Sequence, residues 1–501
     1  MFWVALLAVQ VWIADESVKV RPDARPPALA QAPRIRLAAA GGECVGAQIV
    51  VRGPVRGLKA TSTLDLYRVA TITLTQPSGP DGATGEWPDA LIPARDVLFG
   101  EERRAFPVDV AEGRAQAIFV EACVARGAAK ARLASVVKLT WDGGEAEVPV
   151  DLRRRGFDLP ATPPLATAFG FSGYSAAKGH GRDPDANREL TRAYDRIALR
   201  RGITLFGGTQ DAPRMRNGKI DWTAYDEEVG PFIDRWTAVE LREPSRLSRD
   251  ERRSYRRQWV EHFRKRGWLD KLFRYVYDEP AEKDFPKVEQ LAREYREDVP
   301  EVRRLVTTRP SPKLPSVDLF APLINFGAVP RMWWYQSCMS HGCEPSTHES
   351  FRGWPSYMID APATAARAMG TLAFVNDVAG ELYFDTVYAY DSMDPWKSQW
   401  AFAGNGDGTL YYPGTPARIG GTHDVPVESL RIVQIARGLA DHAYLSLCAQ
   451  LGDPALAKAE ARAVAPGVRS WSRDPRAYAQ MREHLAARIE TLLTGRKLGS
   501  R

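Results

Sequence analysis

Asp278 and Glu279 stand side by side in the segment Arg274-Tyr275-Val276-Tyr277-Asp278-Glu279-Pro280. Two carboxyl groups in unlike surroundings are the usual apparatus for cleaving a glycosidic bond. One protonates the leaving oxygen, and the other serves as base, nucleophile or stabiliser of the developing cation. For that, both must face one substrate. Successive strand residues point to opposite faces, so neighbours converge only where a strand ends or twists. The apolar run Leu272 to Tyr277 is expected to be such a strand, stopped by Pro280. The same residue types also suit a helix N-terminus, where Asp, Glu and Pro are all favoured. The elements on either side decide between the two.

Other side chains could contribute. Met332-Trp333-Trp334-Tyr335-Gln336 ends another strand-like run, and Trp354, Trp396, Trp400, Tyr411 and Tyr412 follow on later loops. Sugar rings pack their C–H faces on aromatic planes, so aromatic side chains near strand ends suit a carbohydrate; Trp396 is taken as one candidate contact. Any single Trp in a chain this long is more often core. Cys338, His341, Cys343 and His348 lie close together, but their spacing matches no standard zinc site, and no metal is assigned. Asn405-Gly406-Asp407-Gly408-Thr409 lacks the alternating acidic ligands of a calcium loop and reads as a tight turn. There is no phosphate-binding loop, no dinucleotide glycine fingerprint and no nucleophile elbow, and no cofactor is implied.

The elements that must position the acid pair are legible as a strand–helix alternation. Strands are expected at 166–171, 203–206, 237–241, 272–277, 304–307, 317–320, 332–335 and 381–384, with helices at 187–200, 249–266, 285–296 and 362–376. Eight strands that mostly alternate with helices indicate a (β/α)8 TIM-type barrel over 165–450, in which active sites lie at the C-terminal strand ends. The link between the sixth and seventh strands is too short for a helix. Before the barrel, residues 25–160 read as short strands separated by turn clusters, the pattern of an N-terminal β-sandwich domain. Two amphipathic helices are expected from about Pro426, with 451–501 forming a C-terminal helical segment.

With 501 residues the chain needs more than one core. The net charge of +6 is spread thinly, and acidic residues interleave with the arginines between Arg188 and Arg309, so a nucleic-acid partner is not implied. Residues 1–14 are apolar and too short to span a bilayer. They fit a signal peptide ending near Ala14, although no Lys or Arg precedes them, and a buried strand is the alternative. Export would place the protein in a secreted or periplasmic setting where disulfides form. Cys338 with Cys343, and Cys44 with Cys123, are then the pairs to expect, leaving Cys448 as a buried thiol. Oligomeric state is not readable.

Several segments together resemble the glycoside hydrolase family 123 catalytic-domain group, also catalogued as domain of unknown function 4091. They are Tyr277-Asp278-Glu279-Pro280, Met332 to Tyr335 with Cys338, Pro355 to Pro362 with Arg367, Asn405 to Gly414, Glu428-Ser429-Leu430-Arg431, and Arg437 to Asp441. Their order and spacing match from about Ala166 to Leu451. The resemblance implies a retaining exo-β-N-acetylgalactosaminidase type of activity on an N-acetylhexosamine-containing glycan, by substrate-assisted catalysis. Glu279 would be the acid and then the base, and Asp278 would orient the 2-acetamido group; Tyr335 and Trp334 would line the substrate pocket. The chain departs from the commoner family pattern at Ala440-Asp441-His442 and at Tyr383-Phe384-Asp385. Alternatives are a glycosidase for a different sugar, or a non-catalytic carbohydrate-binding or cell-surface protein on the same scaffold.

Overall fold

Each of the eight barrel segments forms a strand in the computed structural model, which describes residues 9–28, 32–129, 131–345 and 348–499. They are β1 (Ala166–Phe171), β2 (Leu205–Gly207), β3 (Val239–Glu240), β4 (Leu272–Tyr277), β5 (Arg303–Val306), β6 (Leu319–Phe320), β7 (Trp333–Tyr335) and β8 (Gly380–Tyr383). All pair in parallel, in two four-stranded sheets ordered β2-β1-β8-β7 and β3-β4-β5-β6. Between β2 and β3 the contact is made by threonines: Thr237 donates its N–H to Thr204 Oγ1 at 2.8 Å. Between β6 and β7, Leu323 pairs in parallel with Tyr335. One apolar cluster collects Ala168, Phe273, Leu305, Leu319, Trp333, Tyr335 and Leu382, with Phe206 and Tyr275 against it. The molecule is thus a mixed α/β fold whose parallel strands bury one face on a common interior.

Helices follow the strands: α1 (Arg188–Arg200), α2 (Arg249–Arg266), α3 (Phe285–Asp298) and α4 (Ala363–Val375). The start of α2 is set by a reciprocal cap between Ser248 and Glu251, and its end by Gly267 at φ 75°. The link from β6 to β7 holds only a short helical turn, Ile324–Phe326. Three helices close the chain, not two: α5 (Leu430–Leu451), α6 (Pro454–Val464) and α7 (Pro475–Gly499). Gly452 at φ 122° ends α5, and the Asp453 carboxylate accepts the Leu456 N–H at 3.1 Å to begin α6.

Residues before 159 form two five-stranded sheets. Alternate residues of their strands turn inward, so Ile49, Val51, Ile118 and Val120 from one sheet share a cluster with Val137, Leu139, Val148 and Val150 from the other. Gln10–Asp15 is an edge strand, paired antiparallel along its length with Glu43–Arg52. The strand alternative therefore holds for that part of the apolar N-terminus, and a cleavage at Ala14 would remove most of this edge. Residues 1–8 of the expected signal segment lie outside those described. Cys44–Cys123 and Cys338–Cys343 are disulfides, and Cys448 is a buried free thiol.

Candidate functional site

The register of β4 against β5 shifts between Tyr275 and Tyr277. Such an irregularity breaks the strict in–out alternation. Val276 and Tyr277 both pack outward, against a cluster holding Val288 and Ala292 of α3. Past the strand end, Glu279 takes φ 40°, in the left-handed region that non-glycine residues seldom enter. The consequence is that both Asp278 and Glu279 bond to side chains rising from the inner face.

The bonds are specific. Tyr275 donates its hydroxyl to Asp278 Oδ1 at 2.6 Å, and Thr307, just past β5, donates to the same oxygen at 3.0 Å. The Thr307 hydroxyl in turn accepts the Glu279 backbone N–H at 2.6 Å, fixing the turn between the two acids. Tyr335, from β7, donates its hydroxyl to Glu279 Oε1. Every side-chain bond to the two carboxylates thus falls on one oxygen of each, and both residues are exposed. Burial, and then the Asp278 charge, push the Tyr275 phenol well above its ordinary value. Burial, and then the bond to Glu279, do the same for Tyr335. Both phenols stay protonated and serve only as donors toward the carboxylates. Phe206 meets Tyr275 edge-on with centroids 6.4 Å apart, which continues the aromatic floor toward β2.

Tyr335 is therefore at the acid pair, as expected, but Trp334 is not. Alternation along β7 turns Trp333 and Tyr335 inward and sends Trp334 into the outer cluster with Met369 and Leu372 of α4, where it is fully buried. Trp396 is also displaced from the role expected of it. Its indole N–H donates to the Pro413 carbonyl at 3.0 Å and its ring lies against Tyr412, in a cluster with Ala90 and Ile92 of the N-terminal sheets. Tyr411 and Tyr412 are buried. Cys338 and Cys343 bond to each other, and His341 bonds instead to the Phe402 carbonyl at 3.2 Å. Thr307 went unnoticed in the sequence as a site residue; its one signal was its position at the end of a predicted strand.

A cleft of about 1150 Å³ opens at the same strand ends, beside β1 to β3. Ser172 and Tyr174 line it from β1, Gly208 and Thr209 from β2, and Arg242 from β3. Neither acid lines it.

No family model matches the chain, and no curated protein matches it in sequence. Among solved structures, a family 123 glycoside hydrolase from Clostridium perfringens, described in terms of glycolipid glycan hydrolysis, superposes with a TM-score of 0.63. That match covers 97% of this chain and 98% of the other at 11% identity. The two proteins share a fold over nearly their whole lengths. An FMN-binding β-glucuronidase from Facaelibacterium prausnitzii, at TM-score 0.29 and 10% identity, covers 76% of this chain and 58% of its own. That overlap is too slight to bear on the fold.

Proposed function

We propose that the protein is a secreted or periplasmic glycoside hydrolase that removes a terminal N-acetylhexosamine with retention, by substrate-assisted catalysis. The observation that carries this is the pair itself: two carboxylates at one strand end, held by neutral hydroxyl donors on one oxygen each, with the other oxygen open. In our reading the eight parallel strands form one (β/α)8 barrel and the two N-terminal sheets a β-sandwich. The single inner cluster and the apolar cluster shared by the sheets support that reading. The shared fold with a family 123 glycoside hydrolase supports the assignment, and the two disulfides support an oxidising compartment. No helix among the described residues is long and apolar enough to cross a membrane.

The chemistry follows from the open oxygens. Glu279 Oε2 protonates the glycosidic oxygen as the acetamido carbonyl oxygen attacks the anomeric carbon, forming an oxazolinium and releasing the aglycone. Asp278 Oδ2 accepts the acetamido N–H and stabilises the positive charge that develops there. Glu279, now a carboxylate, takes a proton from water as the water opens the oxazolinium. Tyr275, Thr307 and Tyr335 hold the two carboxylates in place through the cycle.

The test is hydrolysis of aryl β-N-acetylgalactosaminide and β-N-acetylglucosaminide by wild type, Glu279→Gln and Asp278→Asn, with a thiazoline analogue of the oxazoline as inhibitor. Wild type should cleave at least one substrate, both variants should be severely impaired, and the thiazoline should compete. Cleavage of neither substrate would overturn the specificity. Full activity in Glu279→Gln would remove the acid, and indifference to the thiazoline would point to an enzymic nucleophile.

A further inference from the structure

Among the described residues only four aromatic side chains are exposed: Tyr174 at 59%, Phe326 at 46%, Tyr388 at 40% and Phe402 at 46%. All four follow the C-terminal ends of parallel strands, Tyr174 after β1, Phe326 after β6, and Tyr388 and Phe402 after β8. That is the end that carries Asp278 and Glu279. The remaining aromatic side chains, every described Trp included, are buried or half-buried. Exposure of large apolar rings on this one rim marks a place where something else covers them.

The β8 rim is the best formed part of it. Phe384, Tyr388 and Phe402 meet one another with centroids 5.2 to 5.9 Å apart. Phe402 and Ala403 stand at φ 47° and 57°, two successive non-glycine residues in the left-handed region, and the bond from His341 to the Phe402 carbonyl holds the turn. In the same loop Asp385 is fixed: its Oδ1 accepts the N–H groups of Thr386 at 2.6 Å and Val387 at 2.8 Å. Thr386 donates its hydroxyl to the Gly170 carbonyl at 2.9 Å, tying the loop to β1. Gly170 permits this approach, since a Cβ there would lie 1.9 Å from the Phe384 carbonyl oxygen. All the bonds to the Asp385 carboxyl go to Oδ1, which leaves Oδ2 open three residues before Tyr388, and burial pushes the group up to about 7.

Exposed apolar rings in the same loop region as a fixed carboxyl group match the two surfaces of a pyranose, its C–H face and its hydroxyl edge. Two exposed rings are too few for a stable protein interface, which buries on the order of 800 Å² per partner. We propose that Asp385, Tyr388 and Phe402 form a second sugar subsite, taking the pyranose next in line to the terminal residue held at the acid pair. Its place in the glycan rests on the glycosidase reading. The protein would thus recognise an oligosaccharide and not the terminal sugar alone, at a loop where the chain departs from the family pattern.

The test uses a full-length Glu279→Gln background, so that the probe survives, and calorimetric titration with a neutral trisaccharide ending in β-N-acetylgalactosamine. Phe402→Ala and Tyr388→Ala should each raise Kd about tenfold and Asp385→Asn several-fold, while Tyr388→Phe restores the parent value. N-acetylgalactosamine alone should shift by less than twofold. The subsite is overturned if the trisaccharide does not bind, if neither alanine variant changes Kd, or if monosaccharide and trisaccharide weaken equally. Failure of the glycosidase reading would show separately, as absent cleavage of the aryl glycosides by wild type.

Discussion

Carboxylates do opposite work in two regions of this molecule. In the seam between the N-terminal sheets and the helices they are locked to guanidinium groups. Glu121 takes Arg201 at 2.6 Å and Arg437 at 2.9 Å on one oxygen and Arg200 at 3.0 Å on the other. Asp441 is clamped by Arg367 and Arg482, and Asp89 by Arg431 at 2.7 Å. At the strand ends the side-chain bonds to Asp278 and Glu279 come from two phenols and a hydroxyl. Buried ions survive only when their charge is neutralised and their lone pairs are filled. A carboxylate so filled can hold two layers together but has nothing left for a substrate. The acid pair meets no guanidinium among the described residues and keeps one oxygen of each carboxyl open, so it remains available to a substrate. The contrast also accounts for the arginine-rich composition: Arg200 and Arg201 at the end of α1, with Arg367, Arg431, Arg437 and Arg482 beyond it, pin layers together.

The sharpest test of this division is Glu279→Gln. It should lower kcat/KM by on the order of 10³-fold, within the range of general acid–base catalysis, while leaving the melting temperature unchanged. Glu121→Gln should do the reverse. It takes the shared carboxylate from Arg200, Arg201 and Arg437, which keep only Asp65, Glu428 and Glu16, and should cost about 3 kcal/mol by denaturant titration, with kcat per folded molecule retained. Equal effects of the two variants on both readouts would erase the distinction.

The seam should also respond to acid. Burial opposes ionisation of Glu121, but Arg201, Arg437 and Arg200 prevail and hold its carboxyl well below the usual range. Its stabilisation is therefore present above the unfolded glutamate pKa and lost only as pH falls through the depressed folded value. His442 acts at higher pH. Buried within α5, it is pushed down from 6.5 to about 4. The unfolded chain therefore binds its proton first, and stability falls as pH drops from 6.5 toward 4. Against His442→Gln, wild type should lose about 3 kcal/mol across that window; parallel curves for the two proteins would refute the shift. Smallest is Tyr335→Phe, which frees Glu279 Oε1 and should lower kcat/KM about tenfold with little change in unfolding midpoint. An unchanged rate would mean that Glu279 is oriented by its backbone turn alone.

Much of the scaffold was legible because strands and helices announce themselves locally. Runs such as Leu272 to Tyr277 are rich in aliphatic and aromatic residues, and Pro280 stops the strand where the site must begin. Gly452-Asp453-Pro454 marks the break between α5 and α6, which makes one helix more than the two expected there. The third strand, Val239–Glu240, is two residues long and was placed only approximately, since so short an element leaves no period to read. Trp334 was misassigned because three aromatic residues in a row do not say which of them face inward; register decides that, and register is set by pairing with β8.

The sequence by itself determined where the carboxyl pair would stand, after a strand and before a proline, and which cysteines were near enough in chain or strand pattern to join. Those are properties of neighbouring residues. Which oxygens stay open, and which aromatic rings stay exposed, were decided only by tertiary structure. Thr307 reaches Glu279 across 28 residues of chain, and Tyr335 reaches it across 56. The exposed Tyr388 and Phe402 look no different in sequence from the buried Tyr411 and Tyr412. Solvent access and hydrogen-bond partners depend on what packs alongside, and no local spacing carries that information.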